Sequence, residues 1–315
     1  MAKTRDIRKR IISVRNIHKI TRTMERVAQS KGMKLTNRYE AARSFRAHVL
    51  RLLPEALGTA PGSLEASQEL AAQPLGAQRP EIRRVLLFCV TSSRGLCGGY
   101  NTRVIQAARA RMQELRQAGK EPALAVMGRK GLAFFRFHNQ PVAIAVADAD
   151  ENIPFRRLDE VVQQINERFI AKEFDAVQII STRYKTKAIQ EVRAAALLPF
   201  TADVVSAKPA GPLPAAAAPA GPTPGPDGTP LYLVEPDRAR VLLSLVPLLV
   251  KVELFCTVLE AMLCEQTQRS VAMRSASDNA ESMTKRLTRT YNRVRQAQIT
   301  NEMIEIISGS EGGRT

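Results

Sequence analysis

The chain has 315 residues, 44% of them apolar, which is enough to bury a sizeable core and allows one to three domains. Its 47 Lys/Arg against 30 Asp/Glu give a formal net charge of +17, which calls for an anionic partner or surface. The four cysteines form no C-x-x-C pair and have no histidine cluster nearby, so their spacing excludes a cysteine-based metal site and is typical of a reducing compartment.

No targeting or membrane-spanning segment is expected. The first residues lack the apolar core of a secretory signal. The most apolar stretch, residues 241–255, is interrupted by Ser244, Pro247, Lys251 and Glu253, so it is not predicted to cross a membrane.

The first segment, from about Thr4 to Leu53, predicts one long amphipathic helix. No proline interrupts it before Pro54, and its length of about 50 residues corresponds to roughly 75 Å. The segment is also strongly basic, because residues 1–53 hold 15 Lys/Arg and 3 Asp/Glu, a net charge of +12. Its apolar side chains recur three or four residues apart, at Ile7, Ile11, Val14, Ile17, Ile20, Met24 and Val27.

The middle of the chain predicts a small Rossmann-like α/β domain after a connector. Residues 58–80 contain three glycines and three prolines and read as a loop or a loosely packed connector. From Ile82 to Phe200, short apolar runs alternate with helical patterns. The predicted strands are residues 85–90, 123–127, 142–146 and 177–181, and the predicted helices are residues 101–117 and 154–171.

The stretch SSRGLCGGYN follows the first of these apolar runs. Gly95, Gly98 and Gly99 fit neither the phosphate-binding loop nor the dinucleotide fingerprint, and no lysine follows them. The favoured interpretation is a turn of positive φ, or close backbone packing, before a helix near Thr102. A phosphate site stays open as the weaker alternative.

A linker and a second long helix complete the chain. Residues 207–230 are rich in Pro, Ala and Gly and cannot build a core. A helix is predicted from Pro236 to about Ile307, with Pro247 expected to kink or interrupt its first turns. Its apolar side chains follow a heptad pattern at Leu242, Leu245, Leu249, Val252, Cys256, Leu259 and Leu263. The pattern then becomes sparse and resumes at Met283, Leu287, Tyr291 and Val294. It ends at Ile299, Met303, Ile306 and Ile307.

The two long helices are predicted to pair as an antiparallel coiled coil, with the α/β domain inserted between them. Since the last helix is the longer one, part of it must project past its partner, and its apolar tip predicts an enclosing protein sheath. The predicted divisions are residues 1–57, the first helix; 58–81, the connector; 82–203, the α/β domain; 204–233, the linker; and 234–315, the last helix.

Three segments resemble the gamma subunit of F-type ATP synthases. IRKRIISVRNIHKITRTMERVAQSK resembles its amino-terminal helix, and SSRGLCGGYN its signature turn, with Ser93 where Asp is usual. SVAMRSASDNAESMTKRLTRTYNRVRQAQITNEMIEIISG resembles its carboxy-terminal helix. The three motifs stand in the family's order, and both arms of one helical hairpin carry them.

This resemblance implies a rotor shaft that is not itself an enzyme and holds no cofactor. Such a shaft turns inside a hexamer of three alpha and three beta subunits, and its α/β domain forms a foot with the epsilon subunit on the c-ring. It couples ion flow through the ring to ATP synthesis or hydrolysis. No transit peptide is apparent, so the expected location is the cytoplasmic face of a bacterial inner membrane. The chain is expected to associate with the membrane only through the complex and to bind no nucleic acid.

The resemblance also implies contact residues for the beta subunits. Arg295 and Gln296 match an Arg-Gln pair that contacts a beta-subunit catch loop, and Thr300 lies one turn further on. Met24 and Arg26 match a region that faces acidic levers of the beta subunits, although many relatives have a hydrophobic residue in place of Arg26. Without the resemblance, the arginines read as solvated helix charges and Met24 as a coiled-coil core residue.

Two further groups of residues follow from the family pattern. Tyr232, Val234 and Glu235 match a segment that meets the c-ring, with Val234 where Tyr is frequent. The signature turn of the foot domain comprises Arg94, Gly95, Cys97, Gly98 and Gly99.

Two other function classes compete with the rotor. A basic coiled coil could bind nucleic acid, but aromatic residues make up only 5% of the chain and no binding module is recognised. An α/β enzyme with helical arms would need a phosphate loop, a metal cluster or a nucleophile–histidine pair. His18, His48 and His138 have no motif partner and are expected to be structural or exposed.

Overall fold

The structure, a computed structural model, describes residues 2–57, 64–147, 154–201, 235 and 237–312. The chain divides into two compact units. The terminal unit comprises Met1–Gln29 and Arg269–Thr315, and the central unit comprises Ser30–Gln268.

Both long helices predicted from the sequence are present. The first, α1, runs from Ala2 to Leu57, and the last, α6, runs from Arg238 to Gly312 over 75 residues. Pro247 was expected to kink or interrupt the helix; the interruption is wrong, because α6 continues through this residue, and the kink stays a prediction. Asp237 caps the helix: its carboxylate accepts the Arg240 amide at 2.8 Å, which satisfies one of the free N–H groups of the first turn.

The predicted connector is more ordered than its composition suggested. Its described part contains a helix, α2, over Leu64–Ala72. The glycines and prolines of this segment flank α2 without entering it, which leaves nine residues free to form helix. Leu70 and Leu75 are buried, and the Phe200 amide donates to the Leu75 carbonyl at 2.8 Å.

An arginine fixes the end of this connector to the domain that follows. The Arg79 guanidinium donates to the Phe174 carbonyl and to the Asp175 carboxylate, both at 2.5 Å, and lies over the Phe169 ring. Asp175 also accepts the amides of Arg83 and Arg84. The prediction of a loosely packed segment is therefore wrong for the described residues.

The α/β domain contains one five-stranded sheet in the order β3-β2-β1-β4-β5. The first four of these strands are parallel, and β5 runs antiparallel to β4. The predicted strands and both predicted helices are present, whereas α4 and β5 were not predicted. The elements are β1 Arg84–Val90, α3 Tyr100–Gln117, β2 Glu121–Met127, α4 Arg129–Phe137, β3 Val142–Val146, a 3-10 turn Phe155–Leu158, α5 Asp159–Ile170, β4 Ala176–Tyr184 and β5 Gln190–Leu198.

Alternate residues of the central strand β1 enter two separate cores. Val85 and Leu87 face α3 and α4. Leu86 and Phe88 face the opposite core, which contains α5 and the paired segments of α1 and α6. A parallel strand covered on both faces is apolar along its length, which explains the continuous run VLLFCV.

Within the central unit, α1 and α6 pack antiparallel. Arg46 forms an ion pair with Glu253, and a Cβ built on Gly32 would lie 4.0 Å from the Gln266 Cβ. The seven side chains of the predicted heptad of α6, from Leu242 to Leu263, are all buried. Val246, Val250 and Val258 are buried as well, so burial in this segment extends beyond a single heptad row.

Within the part of the chain that the structure describes, one helix is long and apolar enough to cross a membrane by length and composition. It is α6, so the sequence argument that Lys251 and Glu253 exclude such a span is too strong. Half of the apolar window is buried inside the protein, as in the core helix of a soluble domain. Within the central unit this segment packs against α1 and the sheet.

Candidate contact surfaces

The terminal unit is a pair of antiparallel helical segments. The Thr4 hydroxyl donates to the Gln298 side chain at 2.9 Å, at one end of the pair. Towards the other end, His18 and Arg22 of α1 face Glu281 of α6. A hydrogen bond from Lys285 lowers the pKa of Glu281, and the charges of His18 and Arg22 act in the same direction.

The buried contact between these segments consists mainly of small or polar side chains. In α1 it includes Ile11, Val14, Thr21 and Ala28, and in α6 it includes Met273, Ser277 and Ala280. The Thr21 hydroxyl donates to the Ile17 carbonyl of its own helix at 3.0 Å, so its polarity is satisfied without a partner on α6. Small side chains allow the two backbones to approach closely.

The sequence prediction misplaced the core-facing side of α1 in this unit. Ile17, Ile20 and Val27 were expected in the contact, but they are 51%, 58% and 48% exposed. Burial follows a repeat of seven residues, which places Thr21 and Ala28 inside, whereas the predicted apolar row slips by one residue after Val14.

The corresponding prediction for α6 is correct in part. Leu287, Tyr291 and Val294 are half-buried, as expected for contact residues. Met283 instead points outward, because Thr284 takes the place in the heptad. Ile299 and Met303 are exposed, and the side chains of Ile306 and Ile307 lie outside the described residues.

The terminal unit therefore presents apolar side chains to its surroundings on both helices. These lie in a basic setting: the segments 1–29 and 269–315 hold 17 Lys/Arg and 7 Asp/Glu, a net charge of +10. Exposed apolar residues of this number on a thin helix pair indicate contact with another protein. The residues are Ile12, Ile17, Ile20, Val27, Val271, Met283, Ile299, Met303 and Ile304.

The beta-contact residues implied by the resemblance fall into two places on this unit. Met24 is half-buried, while Arg26 is exposed and lines a groove of about 440 Å³ shared with Arg22 and Arg274. Arg295 lies 21 residues beyond Arg274 on α6, roughly 30 Å away at 1.5 Å per residue. Met24 and Arg26 therefore lie at a different place on the terminal unit from Arg295, Gln296 and Thr300.

The second group is solvent-facing. Arg295, Gln296 and Thr300 are all exposed. The Thr300 hydroxyl donates to the Gln296 carbonyl at 3.0 Å and is therefore engaged by its own helix. The Arg295 and Gln296 side chains are open to solvent, and Glu235 is exposed as well, so the contacts expected of these residues stay predictions. Tyr232 and Val234 lie outside the described residues.

The favoured interpretation of the glycine-rich turn predicts glycines with positive φ, and one of its three glycines has this conformation. Gly98 has φ +57, but Gly99 has φ −83 and Gly95 has no positive φ. Leu96 shares the left-handed region with φ +62. The helix after the turn, α3, begins at Tyr100.

Side chains close the turn from within. Asn101 accepts the Ser92 amide at 2.9 Å and exchanges hydrogen bonds with the Ser92 hydroxyl. Cys97 is buried beside these groups, and Arg94 is exposed at the turn's surface. Because the turn uses the Ser92 amide internally, the geometry favours a structural turn over an anion cradle.

Close approaches of neighbouring groups also occur at two glycines outside the turn, Gly128 and Gly131. Gly128 has φ +98, and a Cβ on it would lie 2.2 Å from the Thr91 carbonyl oxygen. A Cβ on Gly131 would lie 2.6 Å from the Thr91 hydroxyl oxygen, which accepts the Gly131 amide at 3.0 Å. These contacts join the ends of β1 and β2 to the start of α4.

Polar contacts that the sequence analysis missed join α6 to its neighbours in the central unit. Lys251 pairs with Asp159 and lies 3.8 Å from the Phe155 ring centroid. Glu260 is buried, and its carboxylate accepts the Tyr184 amide at 3.0 Å. Lys251 and Glu260 are charged residues in an otherwise apolar stretch of α6. That contrast is the sequence signal that points to these contacts.

The environment of Glu260 perturbs its ionisation. Burial raises its pKa to about 7, against the opposing effects of the Tyr184 hydrogen bond and the Arg193 charge. Burial also lowers the pKa of Arg193. The raised pKa of Glu260 thus reflects its burial where α6 packs against the sheet.

The described residues offer no conventional site for a metal. They contain no group of three or more His, Cys, Asp and Glu side chains able to hold an ion. All four cysteines are free and buried, and burial raises the pKa of Cys89 and of Cys256 to about 12. They therefore pack as small apolar side chains.

Comparisons with known proteins agree over the whole chain. A family model described as ATP synthase matches residues 3–312. The ATP synthase gamma chain of Leptospira biflexa serovar Patoc is 34% identical over 311 residues, covering 99% of both chains. The ATP synthase gamma chain of Rhodospirillum rubrum is 34% identical over 313 residues, again with 99% of both covered.

The fold agrees with these sequence relationships. A chain in the cryo-EM structure of the Euglena gracilis mitochondrial ATP synthase, OSCP/F1/c-ring, is similar with a TM-score of 0.64 at 18% identity, over 99% of this chain and 94% of that one. Nothing in the comparisons supports the nucleic-acid alternative. The chain belongs to the family of ATP synthase gamma chains.

Proposed function

We propose that this chain is the central shaft of an F-type ATP synthase and couples rotation to ATP synthesis or hydrolysis. The observation that carries the proposal is the match to gamma chains along the full length of both helices and the α/β domain. The exposed apolar side chains of the terminal unit give this a physical basis, because they require an enclosing protein.

The enclosing protein is a hexamer of three alpha and three beta subunits. Its catalytic sites lie in the hexamer, and this chain contributes no catalytic residue. The net charge of +10 on the terminal unit favours a sheath with acidic segments, since long-range attraction holds a basic shaft without one rigid pairing.

The α/β domain, residues 82–203 of the predicted division, forms the foot with the epsilon subunit. Tyr232, Val234 and Glu235 contact the c-ring, which joins this F1 portion to the membrane-embedded part of the complex. The location is the cytoplasmic face of a bacterial inner membrane, reached through the complex alone.

Reconstitution tests the proposal. The chain is mixed with the alpha and beta subunits of its own source, separated by size exclusion and assayed for Mg-ATP hydrolysis. We expect one copy to enter a stable hexamer and to raise turnover. A chain that stays apart from the hexamer, with turnover unchanged, contradicts the proposal.

The beta-contact residues need a separate test. Arg295→Ala with Gln296→Ala should weaken assembly by about tenfold or more, because a charge-assisted hydrogen bond contributes ~1.5–3 kcal/mol. Asn292→Ala with Arg293→Ala is the matched control, since both side chains are exposed on the same helix and neither belongs to the Arg-Gln pair. Equal assembly and turnover in both double variants would remove the assignment.

A further inference from the structure

A groove between α3 and α4 lies on the face of the sheet opposite α5. Its volume is about 530 Å³, and Arg109, Met112, Gln113, Arg116, Phe134 and His138 are among its lining residues. It belongs to the central unit and contains none of the contact residues considered above.

Aromatic side chains form one wall of the groove. The Phe134 ring stacks on the His138 ring with centroids 4.1 Å apart. Phe137, whose ring lies 5.3 Å from His138, is 84% exposed at the end of α4. Met112 is buried beneath them and provides an apolar floor.

The other wall is basic. Arg109 and Arg116 are exposed and lie seven residues apart, two turns of α3 and roughly 10 Å along its axis. The Arg116 guanidinium donates to the Gln140 side chain at 3.3 Å, which holds it across the groove. The lining includes no Asp or Glu, and residues 100–140 hold 8 Lys/Arg against 2 Asp/Glu, a net charge of +6.

We propose that this groove docks an acidic amphipathic helix of another protein. An apolar side chain of that helix inserts between Met112 and Phe134, and two carboxylates two turns apart pair with Arg109 and Arg116. The spacing of the arginines specifies the pattern, because residues i and i+7 lie on the same face of an α-helix.

The shape of the surface favours a protein helix over a lipid bilayer. The apolar residues line a concave groove between two helices, and Gln113 and Gln140 add amide groups along it. Such a groove accepts side chains that enter it, whereas a bilayer is contacted by residues that protrude.

A designed peptide tests the docking site on the full chain. The probe is a fluorescent 18-residue helical peptide with two Glu at i and i+7 and Leu between them on the same face. The control peptide has the same composition with its Glu residues on the opposite face. Fluorescence anisotropy should show binding of the probe at least about tenfold tighter than the control.

Charge-matched variants identify the surface. Arg109→Glu with Arg116→Glu should weaken probe binding by about tenfold or more, and Phe134→Ala by severalfold. Lys120→Glu with Arg129→Glu changes the charge equally outside the lining and should have less than about threefold effect. If the reversed groove variant loses its circular dichroism signal, Arg109→Gln with Arg116→Gln replaces it.

Three results would overturn the proposal. One is equal binding of the two peptides, or no binding of either. The second is an equal loss in both charge-reversed variants, which would show attraction without a site. The third is binding to phosphatidylglycerol vesicles, absent with phosphatidylcholine and abolished by Phe137→Ser, without preference for the probe peptide; that result would assign the surface to anionic lipid.

Discussion

Both units contain paired segments of the same two helices, but they bury different side chains. The central unit buries large aliphatic groups such as Leu35 and Leu259, whereas the terminal unit buries Thr21, Ala28 and Ser277. A buried leucine contributes roughly 1.5–3 kcal/mol, and a buried alanine or serine contributes much less. The central unit therefore has the larger apolar core, while the terminal unit leaves many of its apolar residues exposed.

The difference also concerns charge. In the central unit, Arg46 and Glu253 form a pair with little exposure, whereas the pair of Lys285 and Glu281 in the terminal unit is largely solvated. A buried pair is sensitive to the loss of either partner, and a solvated pair is not. Stability and partner contact are thus assigned to different parts of one helix pair.

The largest expected effect comes from the apolar core of the central unit. Leu259→Ala should lower the free energy of unfolding by about 2–5 kcal/mol, because the side chain is fully buried and its removal leaves a cavity. Ile20→Ala, at a site 58% exposed in the terminal unit, should change it by less than about 0.5 kcal/mol. Urea unfolding followed by circular dichroism measures both, and equal losses would refute the distinction between the units.

The next effect comes from the buried ion pair. Arg46→Ala should cost about 3 kcal/mol, because it leaves the Glu253 carboxylate without its partner at a packed junction. Glu281→Ala is the comparison in the terminal unit and should cost less than about 0.5 kcal/mol. Urea unfolding measures the loss of unfolding free energy in both variants. A loss for Arg46→Ala as small as that for Glu281→Ala would show that the ion pair of Arg46 and Glu253 does not stabilise the fold.

A smaller effect should appear in the pH dependence of stability. The folded pKa of Glu260 is about 7 and lies above its unfolded value, so the folded state binds the proton more tightly. The stability that protonated Glu260 contributes is fully present below about pH 4.5. It is lost as the pH rises through 7, which lowers the free energy of unfolding by up to about 3 kcal/mol. Relative to Glu260→Gln, the unmodified chain should lose stability between pH 5.5 and pH 8, measured by urea unfolding; a pH-independent difference would contradict this.

The sequence predicted the central unit better than the terminal one for a physical reason. In α6, Leu245 to Leu263 repeat at heptad spacing and are buried, because burial there is apolar and leaves a clear pattern. In α1, Ile17 and Ile20 made an equally clear pattern but face outward, because apolar spacing alone does not tell which side of a helix its own chain buries.

The beta-contact site stays a prediction that rests on family resemblance alone. Arg295 and Gln296 are exposed polar residues on a polar helix face, and no spacing rule distinguishes them from solvated charges. The groove lined by Arg109 and Phe134 was missed because α4 is short and its residues meet α3 only in the folded domain. Contacts between elements distant in sequence leave little local pattern.

Amide hydrogen exchange tests the division between the two units most directly. It would compare the isolated chain with the chain assembled with the alpha and beta subunits of its source. We expect residues 4–29 and 269–304 to exchange readily in isolation and to become strongly protected on assembly, while β1, residues 84–90, is protected in both states. Protection of the terminal unit that is already strong in the isolated chain, and unchanged on assembly, would contradict the account.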